Sequence, residues 1–238
     1  MLFSSIKEII IPEGRVTKIT NGNIILWQGR RLPTEYQEVE YIQAPDKLGC
    51  YIDLGFTFDT SARVQLSQYI TTPTNSIYGY PFGAAESSGA IRCMLSNPYS
   101  NNGGASAYGS NGTAYLLAVA SVKANSFNDF EITLKKGALT LSNATTGATS
   151  TNKSQAEYTM QSNLYLFAQN YNGSARFGVD RTIRTFKYYD KNDTLICNLI
   201  PCYRKADNIP GMYDTVRKIF LTNAGSGSFI VGPDVLDD

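Results

Sequence analysis

Residues 186–200 read FKYYDKNDTLICNLI. Two β-prone runs, 186–189 and 195–200, flank Asp190-Lys191-Asn192-Asp193, whose short polar side chains favour turns. The stretch predicts an antiparallel hairpin. The same pattern recurs outward from it. In 63–70, Val64, Leu66 and Ile70 share one side of an extended chain, and Arg63, Gln65 and Ser67 share the other. Ile132 and Leu134, then Leu139 and Leu141, bracket a turn at Lys135-Lys136-Gly137-Ala138. Residues 164–169 are apolar on both faces, as an inner strand would be. Residues 114–124, AYLLAVASVKA, contain good helix formers but sit among β-like neighbours and read as a strand. No strand-helix alternation supports a parallel α/β sheet. Many short strands separated by Gly, Asn and Ser loops predict an all-β chain, an antiparallel two-sheet jelly-roll sandwich.

Composition bounds what such a sandwich can do. The 238 residues are 42% hydrophobic and 12% aromatic, enough for one large β-domain or two small ones. Charge is balanced at 21 Lys+Arg against 20 Asp+Glu, unlike the basic excess of a nucleic-acid binder. Histidine is absent, which excludes Ser-His-Asp and Cys-His catalysis and His-ligated zinc. No apolar run reaches the ~18–20 residues that span a bilayer. Lys7 and Glu8 interrupt what would be the apolar part of a signal peptide, so none is expected. Cys50, Cys93, Cys197 and Cys202 form no CxxC pair and are expected as buried, reduced thiols.

The first thirty residues differ from the rest. Asn21-Gly22, a strong hairpin signal, lies between 16–20 and 23–27, and Trp27 closes the hairpin. An isolated two-stranded hairpin is marginal in water, so its apolar face must pack on something. The expectation is an attachment and oligomerisation arm over 1–31, ahead of a jelly roll over 32–238. Ile9, Ile10, Ile11, Val16, Ile19, Ile24, Leu26 and Trp27 would supply the attaching surface.

The residues offer three kinds of candidate site. Carboxylate pairs come first, since two acids on one strand face can serve glycoside hydrolysis. Glu38-Val39-Glu40 reads as the only pair with this spacing, but it lies outside any aromatic-lined inner strand, and Asp190 and Asp193 sit in a turn. No catalytic residue is assigned. Loops 97–111 and 170–180 carry oxygen donors of the kind Ca2+ accepts, without EF-hand spacing or a dense acidic cluster. No metal or cofactor is expected, Ca2+ being the one ion these loops leave open. Glycan recognition needs aromatic faces and planar amides. Tyr78, Tyr80, Tyr99, Asn101, Asn102, Tyr108, Tyr171 and Asn172 supply both and form the candidate glycan-binding set. The N-x-S/T triplets at Asn111, Asn143, Asn152, Asn172 and Asn192 are chance matches in so Asn- and Ser-rich a chain.

Several blocks carry a family resemblance. Residues 32–43, LPTEYQEVEYIQ, and 51–56, YIDLGF, resemble the opening of concanavalin-A-like (laminin-G-like) jelly-roll domains of tailed-bacteriophage and prophage virion proteins of gut bacteria. Residues 164–173, LYLFAQNYNG, continue it, and 186–234 look like the closing hairpin, the IPCYRK segment, a GMYD turn and a final GSF…GPD strand. Residues 11–28, IPEGRVTKITNGNIILWQ, are similar to short modules placed ahead of such domains. The blocks cover under half of the chain. The resemblance implies a non-enzymatic virion structural protein, assembled in the host bacterial cytoplasm. It would serve as capsid decoration, head fibre or tail-associated protein, anchored by the arm. Implied partners are other virion proteins, further copies of itself and host surface polysaccharide, with no nucleic acid and no membrane insertion. A dedicated tail receptor-binding lectin is the alternative, and a polysaccharide hydrolase the third reading.

Overall fold

The structure is a computed structural model. It describes residues 18–21, 24–28, 32–45, 49–59, 61–71, 79–86, 92–96, 104–113, 115–176, 178 and 180–235, with backbone alone for 18–28 and for residues 59, 92, 94, 96, 115 and 159. Every regular element among these is a strand. In chain order they are β1 (Lys18–Asn21), β2 (Ile24–Gln28), β3 (Tyr36–Glu38), β4 (Ile42–Ala44), β5 (Ile52–Asp59), β6 (Arg63–Ile70) and β7 (Phe82–Ala85). There follow β8 (Arg92–Ser96), β9 (Gly104–Ser110), β10 (Tyr115–Ser121), β11 (Ser126–Lys135), β12 (Ala138–Asn143), β13 (Ala148–Asn152) and β14 (Thr159–Leu166). The last are β15 (Gln169–Tyr171), β16 (Ser174–Arg176), β17 (Arg181–Tyr189), β18 (Leu195–Arg204), β19 (Ile209–Asp214), β20 (Ile219–Thr222) and β21 (Ile230–Val231).

β1 and β2 pair antiparallel, with Asn21 opposite Ile24, as expected of the two runs that flank Asn21-Gly22 in the sequence. The other strands make two sheets. The smaller runs β10-β9-β8-β7-β14-β5, with β15 and β16 attached at β7; the larger runs β13-β12-β11-β6-β17-β18-β19-β20, with β3, β4 and β21 attached. All pairings are antiparallel except β15 with β7. This is the all-β, two-sheet jelly roll that the alternation predicts.

Inward positions of both sheets build one core. Val64, Leu66, Ile132, Leu134, Leu139, Leu141 and Phe186 come from the larger sheet. Ile52, Leu54, Phe82, Leu95, Leu164 and Leu166 come from the smaller. Each fully buried side chain of this size contributes roughly 1.5–3 kcal/mol of transfer free energy. Phe130 enters the core while Asp129 and Glu131 on either side face out, the period-two pattern of a half-solvated strand. Residues 115–121 are strand, paired along their length with β9 and burying Ala118 and Ala120 in the core.

The hairpins close as their sequences dictate. Asp190 Oδ1 accepts from the Asn192 and Thr194 N–H groups at 2.8 and 2.9 Å, and Asp193 takes φ 59°. Gly137 turns β11 into β12 at φ 74°. One expectation is corrected: Gly211-Met212-Tyr213-Asp214 is not a turn but the end of β19, and residues 215–218 make the turn. Gln68 is fully buried with Val64 and Leu66, and neither of its side-chain polar atoms has a hydrogen-bond partner. The four cysteines are buried and none is in a disulfide.

Candidate functional site

The outer face of the smaller sheet is aromatic. One registered row crosses its six strands from β10 to β5: Leu117, Tyr108, Met94, Gly83, Tyr165 and Asp53. Ala107, Leu164, Leu166, Ile52 and Leu54 point into the core, so alternation turns Tyr108, Tyr165 and Asp53 outward. Leu117 ends the row with its side chain 37% exposed.

Two aromatic banks lie along this face. Tyr80 and Ala85 form the base of one, with Tyr108 and Tyr171 packed against them. The Tyr80 and Tyr108 rings meet edge to face, centroids 6.3 Å apart. Tyr171 stands opposite Ala85 on the parallel β15, and the Arg176 guanidinium lies 4.0 Å from its ring centroid, a cation–π contact. Asn172, exposed with φ 49°, starts the turn from β15 to β16, and Asn170 Oδ1 accepts the Gly173 N–H at 2.7 Å. The second bank stacks Tyr51 on Tyr165 with centroids 4.7 Å apart. Beside it Asn163 Nδ2 donates to Asp53 Oδ1 at 3.1 Å, and the Gly55 N–H donates to the same oxygen at 2.8 Å. Burial, with the Asp53 carboxylate and Tyr51, pushes the Tyr165 hydroxyl above the ordinary tyrosine range. Gly55 takes φ +70° where β5 slips register against β14, which only a residue without a Cβ adopts at low cost.

The face thus joins Tyr80, Tyr108, Tyr171 and Asn172 from the sequence-derived set. Tyr80 is corrected from contact residue to underlayer, being 8% exposed beneath the Tyr108 edge. Tyr78, Tyr99, Asn101 and Asn102 lie outside the described residues, as do Ile9, Ile10, Ile11 and Val16. Ile19, Ile24, Leu26 and Trp27 lie on β1 and β2, described by backbone alone. Loops 97–111 and 170–180 are corrected too: β9 occupies much of the first, and β15 and β16 lie in the second. Sequence reading missed Tyr51, Asp53 and Asn163, and with them Tyr165, which at 6% exposed is underlayer to Tyr51 as Tyr80 is to Tyr108. Its signal was available in 164–166, where Tyr165 alternates with two leucines; treating 164–169 as apolar on both faces hid it.

The carboxylate survey also needs correction. Glu38-Val39-Glu40 is not the one pair with the right spacing. Asp129-Phe130-Glu131 lies on β11, both acids facing out from the larger sheet. Arg184 Nη2 binds Asp129 Oδ1 at 2.9 Å, and Arg63 Nη1 binds Glu131 Oε2 at 3.2 Å. Gln65 Nε2 donates to that Glu131 oxygen at 2.7 Å, and Ser67 Oγ donates to Asp129. Retaining glycoside hydrolysis asks one carboxyl of its pair to donate a proton. Here both are bonded as acceptors to cationic or neutral donors. Glu38 and Glu40 line an adjoining groove of about 530 Å³ with Phe127, Arg184 and Asn198.

No protein-family model and no curated protein sequence matches the chain. Among solved structures, it is similar to domains LG4-5 of the mouse laminin α1 chain, with 11% identity and a TM-score of 0.43, covering 64% of this chain and 39% of that one. It is similar to full-length tailspike protein 2 of an Escherichia coli O157:H7 bacteriophage, with 10% identity and a TM-score of 0.42, covering 74% and 31%. The enzymatically active domain of bacteriophage CBA120 tailspike protein 2 overlaps with 11% identity and a TM-score of 0.38, covering 65% and 28%. The chain spans under two fifths of the length of each of these structures. Overlap of this kind carries no residue role across.

Proposed function

We propose that the protein is a non-enzymatic, virion-associated jelly roll that adheres to surface glycans through the aromatic face of its smaller sheet. The observation that carries this is the gathering of Tyr108 and Tyr171 over Tyr80 and Ala85, from three separate stretches of chain. Partly exposed tyrosine rings offer apolar faces to sugar C–H groups, and the neighbouring amides and carboxylate offer partners to hydroxyls. Such contacts are individually weak, and display in many copies converts them to avidity. The virion setting draws on the sequence blocks at 32–56 and 186–234. The β1–β2 hairpin would join the chain to another virion protein or to further copies of itself. Absence of turnover is part of the proposal, in keeping with the ion-paired state of Asp129 and Glu131.

The test is a screen of the intact protein against bacterial surface polysaccharides, alone and multimerised, beside Tyr108→Ala and Tyr171→Ala. Binding that these substitutions abolish, with thermal midpoints retained, supports the reading. Equal binding by wild type and both variants overturns the site. For the arm, loss of particle incorporation on deletion of 1–31 is expected, and normal incorporation refutes it.

A further inference from the structure

The opposite face of the sandwich carries a second row of different chemistry. Thr149, Ser142, Glu131, Gln65, Lys187 and Asn198 occupy matched positions on six consecutive strands of the larger sheet, β13 to β18. At the usual spacing the row runs about 24 Å, perpendicular to the strands. It forms the floor of two grooves, of about 450 and 530 Å³, and both grooves are lined by Thr185 and Lys187. Two depressions that share residues on one strand make one trough.

Its floor is preset. Gln65 Nε2 donates to Glu131, the Tyr189 hydroxyl donates to Gln65 Oε1 at 3.3 Å, and Thr149 Oγ1 donates to Ser142 Oγ at 3.1 Å. One row over, Arg184 ties Ser67 to Asp129. The charges leave only a small acidic excess: Glu38, Glu40, Asp129 and Glu131, with the flanking Asp193, stand against Arg184, Lys187 and the flanking Arg63. A highly charged polymer would bring charge for which this surface has no matching excess. A hydroxyl-rich, near-neutral chain would find donors and acceptors held along its length at little ordering cost.

We propose that this trough is a second glycan-binding face, which takes one extended strand of a near-neutral polysaccharide lying across β13 to β18. The inference rests on the reading of the protein as a glycan-binding jelly roll and gives it a ligand class: a polymer long enough to span six strands, distinct from short sugars held at the tyrosine face.

The experiment uses the full chain on an array of bacterial capsular and O-antigen polysaccharides, each printed as intact polymer and as short fragments. Gln65→Ala combined with Lys187→Ala should weaken intact, near-neutral polymers about tenfold and leave fragments unchanged, since it removes two of the row's hydrogen-bonding groups. Ser142→Arg plugs the trough at a solvent-facing position and should do the same, which covers loss of folding in the double variant. Tyr108→Ala should weaken fragments and polymers alike. Unchanged polymer binding by both trough variants overturns this inference, and leaves the tyrosine face standing if Tyr108→Ala has lost its ligands. Polymer binding confined to strongly acidic chains overturns it as well. An array on which wild type binds nothing overturns both.

Discussion

Arg217, on the turn between β19 and β20, donates from Nη1 to the Leu54 carbonyl oxygen 2.6 Å away on the other sheet. Its Nε bonds Asp214, whose side chain is fully buried. Asp214 also accepts from the N–H groups of Asn198 and Val216, at 3.2 and 2.9 Å. One ion pair thus finishes the β19–β20 turn and ties the two sheets together. Removing Arg217 strands a buried carboxylate, which costs about 3–5 kcal/mol for a fully buried pair. Arg217 is 27% exposed, so Arg217→Ala should cost about 2–3 kcal/mol, read by urea unfolding.

The same pair sets an acid limit. Burial pushes the Asp214 carboxyl up, but Arg217 and the backbone donors outweigh it and hold the group below the ordinary carboxylate range. A depressed folded-state value gives stability that is present above the unfolded value of about 4 and is lost as pH falls through the folded one. Unfolding free energy should therefore drop more steeply below about pH 4 in wild type than in Asp214→Asn. Parallel acid limbs in the two proteins would exclude Asp214 as the cause.

Gln68 is a polar residue spent on nothing. Both side-chain polar atoms are buried without partners, on a β6 position opposite the buried Asn128, whose own amide is bonded elsewhere. Gln68→Leu, close in volume, should stabilise the fold by about 1 kcal/mol by deleting that desolvation cost. A lower thermal midpoint would mean that the amide is bonded after all.

The thiols should be silent. Burial pushes Cys93 well above the ordinary thiol range, lifts Cys202 to about 12, and with Asp214 raises Cys197 against the pull of Arg217. Reactivity needs thiolate and access, and these sites offer neither. An aromatic disulfide reagent should label none of the four buried cysteines in native protein and all four in guanidinium. Labelling of native protein would point to local opening of the core.

Turnover should be absent. Incubation with polysaccharides that the protein binds should release no reducing ends, for wild type and for Glu131→Gln alike. Release by wild type that Glu131→Gln abolishes would make the Asp129–Glu131 strand catalytic.

Some of this was readable in advance because it is local. A strand's two faces follow from period-two alternation, so Val64 and Leu66 were assignable inward and Arg63 and Gln65 outward before any fold was known. Turn chemistry placed 190–193 and 135–138 for the same reason. The aromatic face was half legible. Tyr108 and Tyr171 were singled out by residue type, whereas Tyr165 was hidden within an apolar run, and no local rule puts it across Gly83 and Met94 from Tyr108. Asp129 and Glu131 show in the sequence as an alternating acid pair. That each meets an arginine depends on β6 and β17 reaching β11's side of the sheet.

What the sequence by itself determined, then, is strand identity, side-chain facing and the absence of histidine chemistry, since these are set by residues within a few positions of one another. What only the tertiary structure decided is which outward residues share a row. That depends on strand order and register, and long-range antiparallel pairing brings Leu117 and Asp53, or Thr149 and Asn198, onto one line across strands far apart in the chain.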